Sequence, residues 1–315
     1  MQSILNKARI SSALGGRPPA AIEITPEGVL AASRPSVTGE PQFAFVPLAE
    51  GAVVTGIDEP NLRAPEAVAN AIRSALDQLS LRSRYISVVL PDPSVRVFVL
   101  DFDSLPPKAS EALPILRFRL RKMVHFDVDH AGLSYQILTE NRDECKVLAA
   151  IIPGPILAEY ETAARGAGFE PGAVLPASLA ALEATESMEA VLTANLTQRA
   201  LTTTIANGQD LLLYRTIELP ADKEIRITEI QRGIAVASAF FEDKLSAKPR
   251  RLYYAGNQPS AEFAGWINDW IKEAELSVVE LAPMPKVGVL NSLGNANIAG
   301  VCGALALRGQ QAGAR

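Results

Sequence analysis

The sequence predicts an α/β protein made of two similar halves, each of which opens with a β-hairpin. Residues 20–33 (AAIEITPEGVLAAS) predict strand, turn and strand, because Pro26 and Gly28 suit a tight turn between two apolar runs. Residues 200–218 predict a second hairpin around Asn207-Gly208, a dipeptide that strongly favours two-residue hairpin turns. Strands and helices alternate after both hairpins, which is typical of a mostly parallel sheet covered by helices on both faces.

The remaining elements of the first half follow from local patterns. Residues 41–55 alternate loosely and predict further strand, while residues 85–90 (YISVVL) form a continuous apolar run typical of a strand buried on both faces. Between them, residues 65–79 predict a helix, because the segment begins with proline and its apolar side chains recur at helical spacing.

After this strand the order changes to strand, helix, strand, strand and helix. The predicted ranges are residues 95–102, 113–124, 133–139, 146–152 and 155–166. Such an order predicts a compact α+β subdomain inserted between the halves. We place the first half at residues 1–86, the inserted subdomain at 87–174 and the second half at 175–315, whose closing helix returns to the first half.

The second half repeats the alternation of the first. Besides its hairpin, the predicted strands are residues 189–196, 252–255 and 277–281. The predicted helices are residues 176–185, 228–245, 261–274 and 297–308.

Composition restricts the class of protein. With 315 residues, of which 48% are hydrophobic, the chain can bury a substantial core divided between subdomains. A net charge of −5 argues against nucleic acid as a partner, because phosphate contacts need a concentrated basic surface. No run reaches the roughly 18–20 apolar residues of a membrane-spanning helix, and the N-terminal segment lacks the apolar core of a signal peptide. We therefore expect a cytoplasmic protein.

Several segments, in order, resemble PilM-type proteins, the actin-like components of the type IV pilus assembly platform. Residues 87–106 resemble the entry of that family into its inserted subdomain, and residues 116–135 resemble the helix, turn and strand of the insert. Residues 147–184 resemble the strand and helix that return to the second half. The likeness runs over nearly the whole chain, and it implies duplicated ribonuclease-H-like domains of the actin and Hsp70 type, with an inserted α+β subdomain of the FtsA type.

The resemblance also implies a nucleotide site whose two phosphate hairpins each carry an acid and a glycine. The carboxylates hold Mg²⁺ directly or through water, and the glycines let backbone N–H groups approach the phosphates. This chain departs from that pattern. Glu23 and Thr25 stand at the acid and the glycine of the first hairpin. In the second half, Asn195 and Thr197 stand at the acid and the glycine, on the strand of residues 191–197.

Two further motifs of the implied site are also altered. Leu30 stands at the lysine position, and the adenosine motif keeps one of its two glycines as Gly256, followed by Asn257. We therefore predict a degenerate nucleotide site with no catalytic residue, no metal ligand and no required cofactor, and ATP with Mg²⁺ stays open as an alternative. The residues that would contact such a nucleotide are Glu23, Thr25, Asn195, Thr197, Gly256 and Asn257.

Two other clusters invite functional interpretations. His125 and His130 flank two aspartates, which could indicate a metal site, but a solvated loop explains them better. The basic segment from Arg117 to Lys122 could face a membrane, although a solvated helix face is the default interpretation.

The resemblance implies a scaffold at the inner face of the inner membrane. Its partner would be the N-terminal peptide of a PilN-like inner-membrane protein, through which it would associate with the membrane, and further partners would be other platform proteins and the assembly motor. A groove between the insert and the first half would hold the peptide, lined by residues 95–102, 116–124 and 133–137. Two alternatives stay open: a weak ATPase that switches the same machine, and the cytoplasmic actin-like part of a type II secretion L-type protein.

Overall fold

A computed structural model of the protein describes residues 18–34, 40–142, 144–185, 189–208, 210–268, 275–282 and 296–312. In chain order, the strands of this part are β1 (Ala20–Thr25), β2 (Gly28–Ser33), β3 (Gln42–Pro47), β4 (Tyr85–Leu90), β5 (Arg96–Phe102), β6 (Gly132–Glu140), β7 (Cys145–Ile152), β8 (Glu170–Pro176), β9 (Val191–Leu196), β10 (Ala200–Asn207), β11 (Asp210–Glu218), β12 (Arg251–Gly256) and β13 (Ser277–Glu280). The helices are α1 (Pro65–Asp77), α2 (Ala109–Leu120), α3 (Gly154–Gly166), α4 (Ala177–Leu182), α5 (Lys223–Leu245), α6 (Ser260–Trp266) and α7 (Ala299–Ala312).

The two large sheets have the same strand order, which confirms the α/β fold of two similar halves. The first sheet has the order β3-β2-β1-β4-β8, and the second has the order β11-β10-β9-β12-β13. In both sheets three antiparallel strands are followed by parallel ones. A duplicated βββαβ arrangement of this kind places the turns after β1 and β9 at equivalent positions.

One prediction about this duplication is wrong. The hairpin around Asn207-Gly208 forms, and Gly208 has the positive φ of +61° that its turn requires. However, it joins β10 to β11 and therefore matches β2–β3 of the first half, whereas the counterpart of β1–β2 is β9–β10. The reason is that a turn dipeptide specifies local geometry and carries no information about which strand occupies the centre of the sheet.

The third sheet, with the order β5-β7-β6, comes from the predicted insert. Ala112, Leu116 and Leu120 of α2 pack against one face of this sheet. The other face lies against the core that α1 and α3 share. Strands β4 and β8 pair with each other in the first sheet, although the predicted insert begins within β4 and includes most of β8. The proposed boundaries of the three units stay a prediction.

Helix boundaries differ from the sequence expectations at several helices, among them α2, which runs over Ala109–Leu120 and not over residues 113–124. Helix α5 begins at Lys223 and not at residue 228, because the Asp222 carboxylate accepts hydrogen bonds from the backbone N–H groups of Glu224 and Ile225 and caps the helix. Helix α6 ends at Trp266, and the rest of the predicted helix over residues 261–274 lies mostly outside the described residues. The N-terminal segment before residue 18 also lies outside them.

Helices α4 and α7 lie between the two large sheets and cover the same face of the first one. Small residues, among them Ala177, Ala180 and Ala304, form this contact. A Cβ atom at Gly303 would overlap the carbonyl oxygen of Ala180, so the backbones of the two helices touch directly at this point. Only glycine allows so close an approach.

Candidate functional site

A cleft lies where the turns after β1 and β9 meet. Four of the residues predicted to contact nucleotide line it: Glu23, Thr25, Thr197 and Asn257. The other two predicted residues, Asn195 and Gly256, lie behind its wall. The structure thus brings the turns after β1 and β9 together at the junction of the halves. A binding role for these residues stays a prediction.

Asp92 is the residue that the sequence analysis missed. It lies two residues beyond the end of β4, is only 2% exposed, and lines the cleft. Its Oδ1 accepts hydrogen bonds from the Ser178 backbone N–H at 3.0 Å and from the Tyr214 hydroxyl at 2.6 Å. Its Oδ2 accepts from the Ser178 hydroxyl and from Asn195 Nδ2 at 3.3 Å. One carboxylate therefore joins the first sheet to α4, β9 and β11.

Asn195 extends this network to the last helix. Its Nδ2 also donates to the Ser178 hydroxyl oxygen at 3.0 Å, and its Oδ1 accepts from Asn297 Nδ2 at 2.8 Å. Asn297 Oδ1 in turn accepts from the backbone N–H of Ala299, at the start of α7. Asn195, predicted to stand at the acid position of a phosphate hairpin, is thus a structural link that uses both its donor and its acceptor atoms.

Glu23 lies on the opposite wall and is 5% exposed. Burial, together with the nearby charges of Asp92 and Glu27, raises the pKa of its carboxyl group from 4.5 to about 8. A Cβ atom at Gly300 would lie 2.7 Å from Glu23 Oε2, so this carboxyl faces the first turn of α7. Within the described residues, Oε2 has no hydrogen-bond partner.

Comparison with known proteins connects this arrangement to solved structures. Over 93% of its length the chain matches 98% of a chain from a PilM-PilN type IV pilus biogenesis complex, with a TM-score of 0.73 and 18% identity. The chain has the actin-like ATPase fold. This result confirms the fold class, and the resemblance to PilM is confirmed as a structural match.

Two further structures share the actin-like fold. A Bacteroides thetaiotaomicron protein of unknown function with an actin-like ATPase fold matches 89% of this chain and 98% of its own, with a TM-score of 0.52 and 11% identity. The cytoplasmic domain of EpsL, an inner membrane component of the Vibrio cholerae type II secretion system, matches 94% of both chains with a TM-score of 0.50 and 13% identity. No protein-family model and no curated protein matches the chain.

The side chains of the two predicted phosphate turns form hydrogen bonds within those turns. Thr25 Oγ1 donates to the Gly28 carbonyl at 3.2 Å, and Thr197 Oγ1 accepts from the Ala200 backbone N–H at 3.1 Å. Leu30, predicted to stand at a lysine position, is 2% exposed and belongs to the core beneath α4 and α7.

Gly256, of the predicted adenosine motif, serves the packing of the second half. A Cβ atom at Gly256 would overlap the hydroxyl group of Tyr254, whose ring stacks on Phe263 with 4.3 Å between the ring centroids. The glycine is therefore needed to accommodate this tyrosine. Asn257 follows it and reaches the cleft.

Replacing Glu23 with glutamine is expected to remove a pH dependence from the stability. Because the folded protein holds this proton up to about pH 8, whereas an ordinary glutamate loses it near 4.5, the native state binds more protons than the unfolded state across that interval. The contribution of Glu23 to the free energy of unfolding is complete below about pH 4.5. It is lost as the pH rises toward about 8, by at most about 1.4 kcal/mol per pH unit.

Urea unfolding between about pH 5 and pH 8 measures this effect. The midpoint of the unaltered protein should fall more steeply with pH than that of Glu23→Gln. Glu66→Gln, at an exposed glutamate in the first turn of α1, is the matched control and should follow the unaltered protein. Parallel curves for the unaltered protein and Glu23→Gln would contradict the burial of this carboxyl.

The insert places its two faces in different surroundings. Val97, Leu148 and Ile152 face the core shared with the first half, and Val99 is half-buried beside them. Helix α2 packs on the opposite face. A groove toward the first half would therefore be lined by the inner face of the sheet, whereas α2 lies on the outer side. Among the described residues, no helix has the length and apolar character needed to cross a bilayer.

Proposed function

We propose that this protein is a scaffold of a type IV pilus assembly platform that binds the cytoplasmic N-terminal tail of a PilN-like inner-membrane protein. The match to a chain of the PilM-PilN complex carries the proposal, because it covers nearly the entire length of both chains. The EpsL match has a lower TM-score of 0.50, so the pilus machine is preferred over the secretion machine.

The proposed site for the tail is the groove between the first half and the inner face of the third sheet. Half-buried Val99 and Ala150 would give an extended peptide apolar pockets there, and Gln136 is a buried amide on the same face whose Oε1 lacks a partner among the described residues. An extended segment held by backbone hydrogen bonds and side-chain pockets is a common mode of peptide recognition.

Binding of the tail is the direct test. A labelled peptide of the N-terminal segment of the PilN-like protein encoded by the same organism should bind the full chain with a Kd of about 10 µM or tighter. Val99→Gln should weaken binding about tenfold, because it places an amide in an apolar pocket. Phe118→Ser, on the outer side of the insert, is the control and should bind normally. Absence of binding by the unaltered protein would overturn the proposal.

We further propose that the scaffold works without nucleotide. Four donors occupy the two oxygens of Asp92, the Glu23 carboxyl is mainly protonated at neutral pH, and Leu30 supplies no cation. These residues do not fit a magnesium–phosphate group, which needs ionised and accessible carboxylates.

Thermal unfolding with millimolar ATP and Mg²⁺ tests this second proposal. A ligand that binds the native state at concentrations far above its Kd stabilises it by several kcal/mol and raises the Tm by several degrees. We expect the Tm to stay within about 1 °C of the ligand-free value. A rise of several degrees that requires both ATP and Mg²⁺ would favour the nucleotide-switched alternative.

A further inference from the structure

Helix α2 and the turn that follows it expose a cluster of large apolar side chains on the outer side of the insert. Phe118 is 64% exposed, and Ile115 and Met123 are 40% and 41% exposed. Among the described residues, Phe118 is the most exposed large apolar side chain. Because Ala112, Leu116 and Leu120 bury the opposite side of this helix, the exposed cluster faces directly away from the protein.

Cations surround the cluster. Four of them, Arg117, Arg119, Arg121 and Lys122, lie close together in a chain whose net charge is −5. The Lys122 ammonium lies 5.6 Å from the centre of the Phe118 ring. The Arg119 guanidinium has no ion pair or hydrogen bond within the part of the chain that the structure describes. Both cations are therefore free to meet an anionic surface.

The other charged groups of this region are already engaged. Arg117 donates to the backbone carbonyls of Val128 and Ala131, which fixes the loop after the helix. Arg121 forms an ion pair with Asp129, with 2.7 Å between Nη2 and Oδ1. His130 Nδ1 lies 2.6 Å from Asp127 Oδ2, so the second acid of the loop is also paired. Asp127 and Asp129 are thus paired within the loop, and Glu111, an acid on α2 itself, pairs with Lys108, with 3.5 Å between Oε1 and Nζ. Arg119 and Lys122 stay without a carboxylate partner among the described residues.

We propose that this face of α2 binds directly to the surface of an anionic phospholipid bilayer. The apolar side chains would enter the interface, and Arg119 and Lys122 would lie at the level of the phosphates. An amphipathic helix that combines apolar and basic side chains is typical of such contacts. The exposed apolar side chains beside Arg119 and Lys122 suit the interface of a bilayer better than an acidic peptide, which offers no apolar interior to receive them.

The proposed contact between α2 and the bilayer is weak on its own. Its main effect is on the orientation of the protein at the membrane. Each cation near an anionic surface contributes modestly, and three partly buried apolar side chains give reversible binding only. Because the rest of the protein is acidic, an anionic membrane attracts α2 and repels the remainder. This proposal does not rest on the proposed partner, since it adds a lipid contact that needs no protein.

Co-sedimentation of the full chain with vesicles tests the proposal. At low salt, vesicles containing one-third phosphatidylglycerol should retain the protein, whereas vesicles of phosphatidylcholine alone should retain several-fold less. Arg119→Glu should reduce binding about tenfold and Phe118→Ser several-fold. Raising the salt concentration should also release the protein.

Two variants on α5 are the matched controls. Ile225→Ser removes an apolar side chain that is 56% exposed, and Arg232→Glu reverses an exposed charge. Both should leave vesicle binding unchanged. Equal binding to the two kinds of vesicle, or equal loss in the α2 and α5 variants, would overturn the proposal. Phe118→Ser should weaken binding to vesicles and leave binding of the PilN-like tail unchanged. Failure of one proposal is therefore distinguishable from failure of the other.

Discussion

Gly303→Ala is expected to lower the free energy of unfolding by about 3 kcal/mol or more. In an ordinary helix this substitution stabilises by up to about 1 kcal/mol, because alanine has the higher helix propensity. Here the new Cβ would overlap the Ala180 carbonyl oxygen, and no side-chain rotation can relieve a clash with backbone. Helices α4 and α7 would have to separate, which opens the packing between the two large sheets.

Urea unfolding followed by circular dichroism measures this change. Gly265→Ala in α6 is the control, since nothing lies within 4 Å of a Cβ atom at that position. The control should be unchanged or slightly more stable. Equal stability of the two variants would show that α4 and α7 do not meet at Gly303.

Asp92→Ala is expected to have the other large effect, a loss of about 3–5 kcal/mol. The substitution leaves the Ser178 backbone N–H, the Tyr214 hydroxyl and Asn195 Nδ2 without their common acceptor in a buried site. Each unsatisfied buried donor costs about 1–3 kcal/mol, although the neighbours recover part of this by re-pairing.

Asp103→Ala, at an exposed aspartate beyond β5, is the control and should change stability by less than about 0.5 kcal/mol. A double-mutant cycle with Tyr214→Phe refines the test, because residues in one hydrogen-bond network show coupling energies of about 0.5–3 kcal/mol. Additive effects of Asp92→Ala and Tyr214→Phe would mean that the two side chains do not interact.

Local sequence signals were sufficient for much of the fold. The turn at Pro26 and Gly28 specifies the first hairpin, and the apolar run of β4 identifies a central strand. Strand β8 escaped prediction because it contains Pro171 and Gly172, which are typical of turns. Its position at the edge of the sheet makes both tolerable, since one side of an edge strand forms no ladder.

The site was harder to predict than the fold, because its chemistry depends on distant parts of the chain. Asp92 stands between Pro91 and Pro93, which are typical of a break in the chain, and its partners Ser178, Asn195 and Tyr214 lie 86 to 122 positions away. An acid just beyond a buried parallel strand is the one signal that the sequence offers. The raised pKa of Glu23 depends on burial beneath α7, which no local pattern reveals.

The position of Asp92 has a mechanical consequence. It follows the last residues of β4, and β5 of the third sheet begins four positions later at Arg96. Tension applied to the insert by a tethered tail would reach Asp92 before it reached the rest of the first sheet. The Thr139 hydroxyl donates a hydrogen bond to Asp210 Oδ1 at 3.0 Å, which would transmit part of this tension to the second half. A pull at one end of the molecule would thus be shared among all three sheets.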